Sequence, residues 1–534
     1  PSSCRNGSKF RDSVPLRYSI KMSKILTIFK KLDTLCVNNR QLGNFENQLD
    51  RRESTSYVKR HDYCCKLWSI NILATKNMKK LLILLTAAAA VLMLPSCVLH
   101  RLVHYGVQDI YDIDAFPRDT IHRGDTVWRF AEQAPEDRIM DQLRTQWIRV
   151  DGLDTLMYRT MDSVMREHSS MVSVIVVQND TIKFEHYYKG LDTSSVTTIF
   201  SVSKSLTSML CGVAVREGYI KSVHDPVTDY IPELRDADPM FSKLTVEHLL
   251  NMRAGLKFKE TYAPNPFTAM ARLYYGANQE KQIRNLRFEE EPGDSHYYSS
   301  MTTAILGVLI ERATGRSYAE YMEEKIWKPL GMEYDAYISL DDEKHRSPKA
   351  YGGINTCARD LAKIGRLYLN KGNWNGVQIL DTAWVEKCWD KEGLTIQYAY
   401  SYGWYPDEEY IMRADTATQS FSDSLSVAVR FDELGIPEDK RVYYFYENDG
   451  RGGHWEGSYV TGGYMAVGIL GQTIHVLPQY NAVIVGLSEH SSFDDNIVAN
   501  FEVYPNLSWS DVRKKESEKA DNADENDSTE DSGD

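Results

Sequence analysis

The stretch 171–218 restricts the fold more than any other. Two runs rich in β-branched and aromatic residues, MVSVIVVQND (171–180) and TIKFEHYYKG (181–190), meet at Asn179-Asp180 and read as a β-hairpin. Directly after them comes TTIFSVSKSLTSML (197–210). From Ser203 onward this segment suits a helix, with an apolar face of Leu206, Met209, Leu210, Val213 and Ala214 that runs to Gly218, where a C-cap is expected. A helix leaving a sheet in this way is a good platform for a nucleophile. Ser201 stands three residues before Lys204, and residues i and i+3 share a helix face. A helix starting at Ser201 therefore points hydroxyl and amine the same way.

An aliphatic hydroxyl is a poor nucleophile at neutral pH unless a base takes its proton. A lysine can be that base when burial and neighbouring positive charge lower its pKa. The positive end of the helix dipole would help to hold an oxyanion at Ser201. The same pair also suits an N-cap serine followed by a solvated lysine, and the rest of the chain decides between the two.

At 534 residues and 42% hydrophobic content the chain can bury a sizeable core. Residues 1–77 lack sustained periodicity and carry 15 Lys and Arg against 6 Asp and Glu, although the whole chain is at −13. They read as an upstream artefact or unrelated extension. Met78 opens a different segment: Lys79 and Lys80, then LLILLTAAAAVLML, then Leu94-Pro95-Ser96-Cys97. This is the pattern of a signal peptide over 78–96. Ending at a cysteine, it resembles a bacterial lipoprotein signal, which implies a lipid on Cys97, export, and a place at the membrane in the cell envelope. Pro95 is not a preferred residue in such a signal. The strongly acidic remainder argues against a nucleic-acid partner. Cys211, Cys357 and Cys388 form no disulfide or zinc pattern.

Residues 97–150 read as a linker and lead-in. From about 225 to 390 helical spacing dominates: HDPVTDYIPEL, LTVEHLLNMRAGL, the run from Tyr298 through ILGVLIERATG, YAEYMEEKIWKPLGM and CARDLAKIGRLYLNKG. This predicts a helical subdomain inserted into the sheet. Strands return as VYYFYEN, GGYMAVGIL, QTIHVLP and NAVIVGLSE, the last three spaced like an antiparallel meander. FDDNIVANFEVY suits a helix packed on that sheet. Residues 506–534 read as an acidic disordered tail; its last part, 521–534, has seven acidic residues and no basic one.

Five stretches, in order, carry a family likeness: FSVSKSLTS, DPVTDYIPEL, LTVEHLLNM, PGDSHYYSS followed by TAILGVLIERATG, and YGGINTCARDLAKIGRLYLNKGNWNG. Over about 171–503 the chain resembles the serine β-lactamase and penicillin-binding-protein superfamily. Its likeness is greatest to the esterase and 6-aminohexanoate-oligomer-hydrolase branch related to class C β-lactamases. The resemblance implies an α/β (α+β) fold over 151–505, an antiparallel sheet flanked by helices with an inserted all-helical subdomain. It implies an acyl-enzyme serine hydrolase for a small-molecule or peptide-like acyl substrate, with Ser201 as nucleophile and Lys204 as its base.

The family's Tyr-x-Asn motif falls on Tyr298-Ser299-Ser300, with Tyr297 a competing tyrosine. A phenol near a lysine ammonium is expected to have a lowered pKa and to pass protons between nucleophile and leaving group. Ser300 replaces the family's asparagine. The third motif, Lys-Thr-Gly or His-x-Gly on a strand lining the site, corresponds to Gly468-Ile469-Leu470-Gly471-Gln472. Ile469, or Leu470 beside it, would supply a backbone N–H to pair with that of Ser201 as an oxyanion hole. At Gly468 the cation of the β-lactam-specialised members is missing. A substrate carboxylate would lose a partner there worth about 1.5–3 kcal/mol. His454 and Trp455 lie in what reads as a Gly-rich loop and are candidates for shaping the pocket. His296 has no acidic partner in its motif for a Ser-His-Asp triad. No metal or cofactor motif is present.

Overall fold

The computed structural model describes residues 98–132, 143–150, 153–160, 170–262, 265–388, 400–410, 421–446 and 454–490. The chain divides into two units, Pro1–Ala88 and Ala89–Asp534, and every described residue lies in the second. The signal segment 78–96, Cys97, the helix expected near 493–504 and the acidic tail lie outside the described residues. Among the described residues no helix is long and apolar enough to cross a membrane.

The expected hairpin forms. Met171–Gln178 pairs antiparallel with Thr181–Tyr187, and Asn179 and Asp180 both take positive φ, 51° and 57°. That pair of left-handed residues matches the twist of a two-residue hairpin turn. The meander forms as well. The main sheet runs Tyr405–Tyr410, His454–Gly468, Gln472–Leu477, Ala482–Ser488, Met171–Gln178, Thr181–Tyr187 and Ala131–Glu132, with Arg441–Tyr446 also paired to His454–Gly468. Its pairings are antiparallel except that Ala131 and Glu132 run parallel to Thr181 and Ile182. Side chains alternate across the sheet, so Val172, Ile175, Val483 and Val485 join the main core while Val174, Val176, Ala482 and Ile484 build a second cluster on the other face.

The segment 225–388 is less purely helical than the sequence predicts. HDPVTDYIPEL folds as two short 3-10 turns, Val227–Asp229 and Pro232–Leu234, because Pro226 and Pro232 interrupt any longer helix. Ala336–Ser339 and Ile354–Thr356 form a second sheet with Arg118–Ile121 and Thr197–Thr198. The lead-in therefore has structural work: it supplies a helix, Val98–Tyr105, and an edge strand of this small sheet.

Between the main sheet and the helix Ser300–Thr314 runs Val202–Arg216, buried from Val202 through Ala214. A helix closed in on all sides has to satisfy its own polar groups. Ser203 Oγ accepts from Ile354 N, Ser205 Oγ donates to the Gly403 carbonyl, and Thr207 Oγ1 donates to the Ala350 carbonyl. On the same face of the sheet, Ala358–Leu369 packs across its central strands. Contact there is so close that a Cβ on Gly365 would fall 2.4 Å from Val483 Cγ1. Gly365→Val is therefore expected to overpack this seam and cost about 1–3 kcal/mol. A urea melt should show a lower midpoint with an unchanged slope.

Candidate functional site

Two strand residues of the small sheet, Thr197 and Thr198, deliver the chain to Ser201. Phe200 turns the corner at φ +45°, a left-handed conformation that is costly for an aromatic residue. Ser201 is the N-cap of Val202–Arg216, one residue outside the helix proper. Lys204 reaches back from the first turn, its Nζ donating to Ser201 Oγ at 2.9 Å and to the Tyr351 carbonyl at 2.8 Å. That carbonyl is itself held in place. Buried Lys349 donates to the Tyr274 carbonyl at 2.6 Å, and the Tyr351 hydroxyl donates to the Leu273 carbonyl at 2.9 Å. Both acceptors lie at the C-terminal end of Ala269–Tyr275, where a cation is favoured.

Only 2% of Lys204 is exposed. Burial pushes its pKa down from 10.5 to about 8, and the Glu260 carboxylate partly opposes this. The ammonium form is thereby penalised by about 3 kcal/mol. The expected help from neighbouring positive charge is not what acts here; the charge felt by Lys204 is negative.

Tyr298, not Tyr297, lies at Ser201. Its phenol is near enough to the Ser201 hydroxyl to be influenced by it, and Lys204 Nζ stands 5.1 Å from its ring centroid. Tyr297 is 47% exposed, and its hydroxyl accepts from Glu260 N at 3.2 Å. The expected lowering of the Tyr298 pKa is overturned. Burial pushes it well above the usual value, the neighbouring Tyr400, Tyr405 and Tyr262 push it further, and Ser201 only partly opposes them. Desolvation of the phenolate dominates, so Tyr298 stays protonated.

Ser300 opens the helix Ser300–Thr314, with Ser299 as its N-cap. Its N–H and Oγ both donate to the Glu260 carboxylate, at 2.9 and 2.7 Å. Tyr262 donates its hydroxyl to the same carboxylate at 2.6 Å. The third motif differs in form from the expectation. Gly468 ends a strand, but Ile469, Leu470 and Gly471 make the turn into Gln472–Leu477, with Leu470 and Gly471 at φ 65° and 83°. A hairpin reversal needs such left-handed residues. Gly468 abuts Ser201: a Cβ there would fall 2.7 Å from the Ile199 carbonyl and 3.2 Å from Ser201 N. Ser201 N is one of the first-turn amides that no helix carbonyl can reach. Ile469 and Ser201 line one small recess, together with Tyr262, Met270, Tyr274 and Tyr351. A larger cavity, about 630 Å³, takes in Tyr297 and Ser299 on either side of Tyr298.

The structure thus gathers Ser201, Lys204, Tyr298, Ser300, Gly468 and Ile469. His454 and Trp455 are set apart from them. The stretch read as a Gly-rich loop is the strand His454–Gly468, where His454 meets Glu456 and Trp455 packs with Phe421, Val427 and Phe431. Burial and the nearby Arg253 push the His296 pKa down. Asp341, Asp342 and His345 cluster closely enough to suggest a cation site. Their carboxylates are instead occupied by the backbone amides of Asn278, Gln279, Ser347 and His345. Sequence reasoning missed Glu260, Tyr262, Tyr351, Tyr400 and Tyr405. Its one available signal was the tyrosine-rich run YAYSYGWY at 398–405.

The Beta-lactamase family model matches residues 154–502. The chain belongs to the beta-lactamase family. Among family relatives, the 6-aminohexanoate-dimer hydrolase of Paenarthrobacter ureafaciens is 29% identical over 246 residues, 44% of this chain and 61% of that protein. The D-alanyl-D-alanine-carboxypeptidase/endopeptidase AmpH of Escherichia coli K12 is 25% identical over 173 residues, 32% and 44% of the two chains. The matched segments thus span less than two thirds of either relative. A solved Bacillus anthracis protein, provisionally described as a 6-aminohexanoate-dimer hydrolase, superposes with a TM-score of 0.53 at 21% identity. It covers 73% of this chain and 90% of its own, and bears out the fold.

Because the Glu260 carboxylate favours the ammonium form of Lys204, Glu260→Gln is expected to move the Lys204 pKa further below about 8. NMR titration of 13C-labelled lysine would read the shift. An upward movement would mean that the carboxylate does not act on this amine.

Proposed function

We propose that this protein is a serine hydrolase that works through an acyl-enzyme on a neutral ester or amide. The observation that carries this reading is the 2.9 Å contact between a buried lysine and the Ser201 hydroxyl. Ser201 attacks the carbonyl while neutral Lys204 takes its proton. The N–H groups of Ser201 and Ile469 hold the oxyanion, and Tyr298 protonates the leaving group. Water then enters with the same groups working in reverse. Glycine at 468 leaves no cation for a substrate carboxylate, which supports a neutral substrate over a β-lactam or D-Ala peptide. Those remain the second reading, favoured by the likeness to AmpH. Export and a lipid on Cys97 complete the proposal, supported by the sequence of 78–97.

Incubation of the full chain with a fluorophosphonate probe should give a single mass adduct that Ser201→Ala abolishes. Folded protein without an adduct would instead support a binding module with no hydrolytic step. Esters and nitrocefin offered to the labelling-competent protein would separate the two enzymatic readings.

Since the base must be the neutral amine, kcat/KM should rise about tenfold per pH unit up to about 8, where half of Lys204 is deprotonated, and then level off. A profile already flat from pH 6 would assign the base elsewhere.

A further inference from the structure

Gln108 reaches the recess at Ser201 from the lead-in, a stretch that the sequence reads as a linker. Its backbone is pinned on both sides. Two residues before it, the Gly106 carbonyl accepts from the Tyr275 hydroxyl at 2.9 Å. Two residues after it, the Ile110 carbonyl accepts from Thr198 N at 2.7 Å, on the strand that leads to Ser201. Farther back, Arg101 on the helix Val98–Tyr105 donates to the carbonyls of Tyr275 and Asp341. Farther on, Asp112 accepts from the Tyr274 hydroxyl at 2.7 Å. A side chain carried on such supports can meet a ligand without its backbone first having to be ordered.

The other polar side chains of the recess are already committed. A hydroxyl has one hydrogen to donate. Tyr262 and Ser300 both give theirs to the Glu260 carboxylate, at 2.6 and 2.7 Å. Tyr274 gives its hydrogen to Asp112, and Tyr351 donates to the Leu273 carbonyl at 2.9 Å. The Ser201 hydroxyl meets Lys204 and surrenders its hydrogen in the reaction proposed above. Gln108 differs from all of these. Its carboxamide has no hydrogen bond to any described residue, and its amide nitrogen carries two hydrogens. Among the side chains that line the recess, it alone has a donor left over for the part of a substrate that does not react.

We propose that Gln108 is a specificity-determining residue that donates a hydrogen bond to a second carbonyl oxygen on the acyl group. The favoured substrates are then esters or amides whose acyl part carries a second, neutral carbonyl. The proposal rests on the hydrolase reading above and adds which acyl groups that site prefers. The four committed hydroxyls keep lone pairs that accept but have nothing to donate, so a carbonyl oxygen entering the recess has one side chain to meet. An acyl group with no acceptor leaves the Gln108 hydrogens without a partner once it has displaced water from them.

The test compares pairs of ethyl esters of equal chain length in the full protein: 4-oxopentanoate against pentanoate, and 5-oxohexanoate against hexanoate. In each pair the members differ by one oxygen placed away from the reacting carbonyl. Expected in the wild type is a kcat/KM about three- to tenfold higher for the keto ester in at least one pair. Gln108→Met keeps the length of the side chain and removes the amide, and should bring that ratio to about one. Fluorophosphonate labelling at the wild-type rate would show that the variant is folded with Ser201 reactive. If Gln108→Met does not label, Gln108→Glu, which keeps the shape but as a carboxylate has no hydrogen to donate, carries the same expectation. A wild type that labels but shows no keto preference in either pair would overturn the assignment and leave the hydrolase standing, as would variants that label and keep the preference. Absence of both labelling and turnover in the wild type would overturn both.

Discussion

One amine organises this molecule. Lys204 is enclosed, yet among the described residues it has only the Ser201 hydroxyl and one carbonyl to bond, with a carboxylate placed to moderate its basicity. Unpaired buried charge is costly, so the ammonium is disfavoured and the pKa falls to about 8. Much of the surrounding architecture keeps that balance. Lys349 and Tyr351 tie the carbonyl to the end of a helix. Gly468 lets a strand end come within touching distance of Ser201 N. Glu260 joins the start of the Ser300 helix to the field felt by the lysine. Shift any of these and the amine regains water or gains a stronger partner.

What was readable from the sequence was whatever depends on local spacing. The hairpin follows from alternation and Asn179-Asp180, and the Ser201 to Lys204 geometry from helical periodicity. The meander follows from short apolar runs, although its first strand extends back through a stretch whose glycines read as a loop. Gly457, Gly462 and Gly463 are absorbed within His454–Gly468. What was not readable depends on contacts far apart in the chain. Glu260 lies 40 residues from Ser300, and Tyr405 more than 100 from Tyr298. No spacing rule connects them. The sign of the Tyr298 shift failed for a related reason. Its pKa is governed by three other tyrosines and by desolvation, neither of which a motif records.

The tyrosines also explain the chemical character of the site. Where a carboxylate-binding relative would present a cation, this chain has Gly468, and the recess around Ser201 is lined by tyrosines, Met270 and Ile469 together with Phe200, Gln108 and Ser300. A phenol far above its ordinary pKa is a neutral donor at any physiological pH.

The burial of the Ser201 helix has a consequence for how such a protein can change. Gly212 meets Trp384, Gly403 meets Ser205, and Gly468 meets Ser201 at distances that admit no added carbon without movement. A side chain at any of those positions would therefore have to displace the helix or its neighbours. Innovation is left to the segments that only lean on it: the stretch carrying Glu260 and Tyr262, and the edge strand carrying Tyr405. A lineage built on this scaffold can acquire new substrates by redrawing its borders while its chemistry stays fixed.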